Sequence, residues 1–327
     1  MLKAARVNPP PNPATLSSQP VINVQHVNKR FGDEIAVQDL TFTVQPSTIF
    51  GFIGPSGSGK TTTVRLLTGF FVPTDGVVTI LGSFPARFSQ RQRARIGYMP
   101  QFFVLYPNLT VWENLNFAAS IYGVSLFRRK RLQEILEFVE LYEYRDKRAR
   151  DISGGMQRRL SLAAALVHNP DLIFLDEPTA GIDPVLRQKF WEHFKKLQSE
   201  GHTLFITTQY VNEAEHCDQL GVMSNGRLLT VDTPEGLRRA AYGGEIIDVS
   251  MTAPIEYQTE HLIDTICRKT VRTGPNSLRL IVDQASAIIP EVIAWAQQNN
   301  MQVERLEQFR PPFEDVFVEL VKKSNGD

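Results

Sequence analysis

Gly54-Pro55-Ser56-Gly57-Ser58-Gly59-Lys60-Thr61 restricts the fold of this chain more than any other segment. Its glycines let the backbone curl so that successive N–H groups face an anion. Residues 60–69 read as a helix stopped by Gly69, which adds a positive dipole end to the same point. Residues 48–53 ahead of the loop read as a buried strand. Strand, glycine loop and helix in that order are what a phosphate-binding loop requires, and they place the chain among α/β folds. Gly54, Ser56, Gly57, Ser58, Gly59, Lys60, Thr61 and Thr62 are the expected nucleotide contacts. Lys60 can reach the β- and γ-phosphates of a nucleotide, and the Thr61 hydroxyl can ligate Mg²⁺.

A second apolar strand, residues 172–175, ends in two adjacent carboxylates, Asp176 and Glu177. Successive strand residues point to opposite faces, so the two acids can take separate roles. Asp176 would hold Mg²⁺ through water, and Glu177 would polarise an attacking water. The blander reading is the acidic start of a helix, because Pro178 follows. Strand and helix alternate through residues 172–223, which predicts a parallel sheet covered on both faces.

Residues 21–27 and 36–44 alternate like antiparallel strands, and residues 111–122, 131–141 and 156–168 carry a helical period. After Gly243-Gly244 the order becomes strand, helix, strand, strand, helix, strand, which predicts a small ferredoxin-like α+β module. Its first helix is read at residues 261–268 and its second at 290–298, and residues 312–322 close the chain as an amphipathic helix. The expected organisation is a leader over residues 1–20, a nucleotide domain over 21–243 with a helical arm at about 102–155, and a C-terminal domain over 244–327. The leader is read as disordered from its five prolines.

Lys+Arg and Asp+Glu each number 35, so net charge gives no reason to expect nucleic acid. No stretch approaches the ~18 apolar residues that a membrane span needs. Cys217 and Cys267 have neither metal-ligand nor redox spacing and read as buried free thiols.

Together, the phosphate loop, Ser153-Gly154-Gly155 and Asp176-Glu177 resemble the nucleotide-binding subunit of an ATP-binding-cassette (ABC) transporter over about residues 21–234. The resemblance implies a P-loop fold with a mixed core sheet, an antiparallel β-subdomain and a helical arm. It also implies a dimer of two ATP-binding subunits, identical or different, that sandwiches two MgATP. Ser153, Gly154, Gly155 and Gln157 would contact ATP held by the partner. Met156 departs from the family's usual glutamine and resembles the exporter branch of the daunorubicin-resistance type, as does the tail Phe313-Glu314-Asp315-Val316-Phe317. Phe31 resembles the residue stacking on adenine, with a core phenylalanine as the alternative. Gln101 resembles the glutamine that senses Mg²⁺ and water. Asp183 resembles the acid communicating across the dimer, and it also reads as a helix cap before Pro184. The implied partner is a membrane-spanning permease at the cytoplasmic face, exporting a lipophilic drug, lipid or polysaccharide.

One position breaks the resemblance. Gln209 stands after Thr207-Thr208, where the family places a histidine on the γ-phosphate. Glutamine donates a hydrogen bond but carries no charge. Reduced but real hydrolysis is expected. The alternatives are a nucleotide-dependent switch with negligible hydrolysis, and a soluble ABC ATPase acting on ribosomes or DNA. The basic runs at residues 128–131 and 145–150 read as solvated faces or lipid contacts, and the apolar run 102–106 as part of a groove for the permease. His193 and His202 read as surface positions, and Trp295 as core.

Overall fold

The structure, a computed structural model, describes residues 19–255 and 266–325. Most of the leader, and all but the last three residues of the helix expected at 261–268, lie outside the described residues. The chain divides into two compact units, residues 1–231 and 232–327.

The first unit contains β1 (Ile22–Phe31), β2 (Glu34–Val44), β3 (Ile49–Ile53), α1 (Lys60–Leu67), β4 (Asp75–Ile80), α2 (Gln90–Arg93) and β5 (Ile96–Met99). The helices α3 (Val111–Ile121), α4 (Arg129–Phe138) and α5 (Gly154–Leu166) form the arm. Then come β6 (Leu172–Asp176), α6 (Pro184–Ser199), β7 (Thr203–Thr208), β8 (Gln219–Ser224) and β9 (Arg227–Asp232). One sheet has the order β2-β1-β4 and is antiparallel; the other runs β5-β6-β7-β3-β8-β9. Within the second, β5, β6, β7, β3 and β8 are parallel. The two-residue turn Asn225-Gly226, with φ of 47° and 77°, forces β9 to return antiparallel and makes the sheet mixed.

This order decides where the site lies. Strands β6, β7 and β3 are neighbours, and a parallel sheet presents all three C-terminal ends on one edge, where ligands of α/β folds bind. β3 and β6 are buried at every residue, as continuous apolar strands covered on both faces must be. The two sheets meet through phenylalanines. Phe42 of β2 stacks on Phe50 of β3 at 5.5 Å, and Phe50 on Phe205 of β7 at 5.4 Å. Buried aromatics of this kind each contribute about 1.5–3 kcal/mol by leaving water.

In the arm, Thr110 and Glu113 form a capping box on α3, and Ser153 caps α5. The basic run in the arm is not a uniform surface. Arg128 is buried and donates to Asn116, to the Val124 carbonyl and to Ser120, and Arg131 donates to the Leu166 carbonyl.

Two histidine expectations need correction. His202 is buried and bonded through Nδ1 to the Pro170 carbonyl at 2.6 Å, and His193 is half-buried against the Phe138 ring. A third histidine carries a pH prediction. His168 is buried, stacks on Tyr122 and bonds the Ile96 carbonyl through Nε2 at 2.9 Å. Its Nδ1 has no partner among the described residues for a second proton. Burial pushes the imidazole down from 6.5 to about 4. Below about pH 6.5 the unfolded chain therefore binds a proton that the folded chain refuses. Stability is lost as pH falls toward the folded value, by on the order of 3 kcal/mol in total. Urea midpoints at pH 7.5 and pH 5 check this: His168→Gln supplies an amide donor in place of the imidazole N–H, does not titrate, and should show a shallower loss than the parent.

The second unit contains α7 (Pro234–Tyr242), β10 (Glu245–Met251), β11 (Lys269–Gly274), β12 (Ser277–Val282), α8 (Ala285–Gln298), β13 (Val303–Phe309) and α9 (Phe313–Asn325). It starts ahead of Gly243-Gly244 because α7 belongs to it. Its antiparallel sheet has the order β11-β12-β10-β13, with Ile247, Val249, Leu278, Leu280 and Trp295 in the core. α8 begins at Ala285, five residues before Pro290, because the Glu245 carboxylate accepts from Ala285 N at 2.7 Å. Cys217 is a buried free thiol as expected, whereas Cys267 is only half-buried.

Candidate functional site

The glycine loop links the last buried residue of β3 to the first turn of α1. Gly59 sits at φ 104°, and a Cβ there would meet the Ala36 carbonyl at 2.6 Å, so only glycine fits. No acidic residue and no side-chain cap occupies the first turn of α1. Its N-terminal amides are thus available to an anion. Ser56 and Gly57 are exposed, Thr61 and Thr62 half-buried, and Ser58 is buried with a hydroxyl that has no hydrogen-bond partner among the described residues. Lys60 Nζ donates to the Gly54 carbonyl at 2.9 Å and the Pro55 carbonyl at 3.0 Å. Burial pushes this ammonium below its ordinary pKa, against the pull of Glu177 and Asp176.

Both carboxylates come to the loop, although strand alternation would separate them. Glu177 has φ 49°, in the left-handed region, and this breaks the alternation directly after Asp176. A non-glycine residue there costs about 1 kcal/mol or more, and such strain concentrates at functional sites. Asp176 Oδ1 accepts from Thr61 Oγ1 at 3.3 Å and from Thr207 Oγ1 at 2.6 Å. Glu177 Oε1 lies 3.7 Å from Lys60 Nζ, and Glu177 Oε2 accepts from Gln101 Nε2 at 2.9 Å. Asp176 Oδ2 is buried without a hydrogen-bond partner among the described residues. An orphaned carboxylate oxygen beside a threonine hydroxyl is a hard-oxygen donor set of the kind Mg²⁺ takes.

Thr207 was not among the residues singled out from the sequence, yet it fixes both acids. Besides its bond to Asp176, its hydroxyl accepts from Glu177 N at 3.0 Å. Its signal was a polar residue at the end of an otherwise apolar buried strand. Tyr98 carries no motif in the sequence; burial and the Asp176 charge push its phenol up to about 12. Arg158 feels both carboxylates, although burial is the larger effect and lowers its pKa.

The remaining expected residues lie at the rim. Phe31 is 42% exposed, which excludes the core alternative, and its ring packs edge-on against Phe71 with Lys29 Nζ 5.0 Å above it. Ser153 accepts from Met156 N at the start of α5, and a Cβ on Gly154 would meet nothing within 4 Å. Gln157 turns back to the Ala149 carbonyl at 2.8 Å. Asp183 caps α6 through Leu186 N at 3.0 Å. A cleft of about 390 Å³ runs between Ser153, Gly155 and Met156 on one side and Gly181, Asp183 and Lys189 on the other. Gln209 is exposed at the end of β7, with no side-chain hydrogen bond among the described residues.

A glycine loop, two strand-end carboxylates and a serine-capped helix define a P-loop ATPase of the cassette type. The family model for ABC transporters matches residues 37–180. The chain is 38% identical over 246 residues to the Nod factor export ATP-binding protein I of Ralstonia nicotianae, covering 75% of this chain and 76% of that protein. It is 34% identical to the protein of the same name in Burkholderia orbicola, over 94% of this chain and 98% of that one. It is also 37% identical to the probable multidrug ABC transporter ATP-binding protein YbhF of Escherichia coli, over 71% of this chain but only 40% of that longer protein. Among solved structures, an ABC transporter ATP-binding subunit superposes with TM-score 0.62 at 27% identity, over 67% of this chain and 92% of that one. A dimeric post-hydrolysis cassette bound to ADP and Pi superposes at 0.60 and 28% identity, over 65% and 98%. The chain belongs to the ATP-binding proteins of ABC transporters, ATPases that bind ATP with Mg²⁺. Its relatives are of the exporter type.

Proposed function

We propose that this chain supplies one half of each of two ATP sites in a dimer that drives export through a separate membrane-spanning permease. The observation that carries the reading is the meeting of Lys60, Thr61, Asp176, Glu177 and Gln101 at the ends of neighbouring strands. Lys60 leaves the Gly54 and Pro55 carbonyls for the β- and γ-phosphates. Thr61 and Asp176 would hold Mg²⁺, with Gln101 beside them, and would thereby supply positive charge against the phosphate oxygens. Glu177, aimed by Gln101 and Thr207, takes the proton of a water attacking the γ-phosphorus in line as the bond to the β-phosphate oxygen breaks. Gln209 donates to the γ-phosphate, and Phe31 stacks on adenine. Ser153, Gly154 and Gly155 close over the partner's nucleotide, where the amide ends of α5 meet an anion. Gln157 supports that turn through Ala149, and Asp183 borders the cleft facing the partner.

The permease surface lies beside Gln101. Phe102, Val104 and Tyr106 are 74%, 66% and 51% exposed, and contiguous exposed apolar side chains mark interaction sites. No helix among the described residues is long and apolar enough to cross a membrane; the association proposed, from the likeness to ATP-binding proteins of transporters, is peripheral at the cytoplasmic face. Cargo selection would rest with the permease.

Phosphate release with MgATP across a range of protein concentrations tests the reading, with Glu177→Gln as the blank. Turnover above the blank that rises more than linearly with concentration is the expected result for two identical subunits. Turnover equal to the blank, despite bound ATP, would overturn self-sufficient hydrolysis and favour a nucleotide switch or an asymmetric partner.

A further inference from the structure

Gln209 has no charge to offer a phosphate, so its contribution depends on where its amide is held. Yet the side chain is exposed and has no hydrogen bond to the described residues. The restraint comes from its neighbours. Tyr210 N donates to Thr208 Oγ1 at 3.0 Å, and Glu213 N donates to the Tyr210 carbonyl at 3.1 Å, which closes a tight turn directly after Gln209. The Glu213 side chain is only 2% exposed, and neither of its oxygens has a hydrogen-bond partner among the described residues. The guanidinium of Arg187 faces it, with Nε 3.6 Å from Glu213 Oε1. The same guanidinium lies 4.4 Å from the centroid of the Tyr210 ring. One arginine therefore grips the turn twice, by an ion pair and by a cation–π contact, and a guanidinium is suited to both.

Arg187 also belongs to the other end of the site. It stands in the first turn of α6, where its N–H donates to the Asp183 carbonyl at 2.9 Å, and the Asp183 side chain caps that helix. We infer that Arg187 is a positioning residue that sets the place of Gln209 and ties it to the Asp183 turn. A movement of the Asp183 turn would reach the turn after Gln209 through the start of α6 and the Arg187 side chain. The inference rests on the hydrolytic reading above and adds a residue that does not touch the nucleotide.

The test uses the full chain with three variants. Arg187→Ala leaves Glu213 buried and uncompensated, which alone can impair folding. The double variant Arg187→Ala/Glu213→Gln removes both charges and keeps the test open. In both, kcat is expected to fall about tenfold or more while the KM for MgATP stays within about twofold, because misplacing a group that acts in the transition state costs rate rather than binding. Arg187→Lys should recover part of kcat, since an ammonium can still pair with Glu213 and sit over the ring. Hydrogen exchange of the peptide spanning residues 208–216 supplies a readout independent of turnover. It should quicken about tenfold in the double variant, with the glycine-loop peptide unchanged. An unchanged kcat, or a kcat loss matched by an equal rise in KM, overturns the inference. Should the wild-type chain not exceed the Glu177→Gln blank, the hydrolytic reading fails by itself. Equal exchange of residues 208–216 in parent and double variant would then still overturn the clamp.

Discussion

Turnover by Glu177→Gln is expected to fall by about 10²–10⁴-fold, the usual contribution of a positioned general base, while MgATP binding persists. The geometry makes the substitution close to isosteric. The new amide oxygen can keep the 2.9 Å bond from Gln101 Nε2. Its nitrogen then faces Lys60 Nζ across the present 3.7 Å gap, so the ion pair is lost. That loss leaves Lys60 bound only to the Gly54 and Pro55 carbonyls and freer to move to the phosphates, which is why affinity for ATP should hold or rise. A nucleotide held without hydrolysis keeps the dimer closed. Phosphate release, equilibrium ATP binding and sedimentation of the variant with MgATP check the three parts together. Loss of binding in parallel with turnover would mean that Glu177 supports the fold of the loop. Wild-type turnover in the variant would remove Glu177 from the catalytic step.

The parts of the site legible in the sequence are those whose chemistry is local. A helix that starts on glycines and lysine, and a strand that ends in two acids, declare themselves within a few residues, because the backbone they require is dictated by those residues. What escaped depends on contacts between distant segments. Thr207 matters through Asp176 and Glu177, about thirty residues upstream on the neighbouring strand, and nothing beside it in sequence says so. His202 reads as a surface histidine until the Pro170 carbonyl is placed against it. The start of α8 is hidden in the sequence because the carboxylate that meets its first N–H, Glu245, comes from the distant strand β10. Arg128 looked like one member of a charged run, and only the fold shows its guanidinium donating to Asn116, Val124 and Ser120. The left-handed Glu177 is the sharpest case: strand alternation predicts two faces, and a single strained residue brings both acids to one.

Gln209→His should raise kcat, by about 10–100-fold. Removing one donor to developing transition-state charge costs about 10²–10³-fold, and glutamine retains part of that interaction as a neutral donor. The side chain is exposed at the end of β7, so imidazole meets no packing obstacle there. The pH dependence separates the two ways histidine could help. If its positive charge matters, the gain should be larger at pH 6 than at pH 8, because an unperturbed imidazole titrates near 6.5. If only the hydrogen bond matters, the ratio of variant to parent should stay level across that range. Rates measured at saturating MgATP for both proteins over pH 6–8 decide between them. An unchanged kcat would take position 209 out of the catalytic set. A gain confined to the single variant, and absent when Arg187→Ala/Glu213→Gln is added, would show that even a charged group at 209 acts only while the turn that carries it is held.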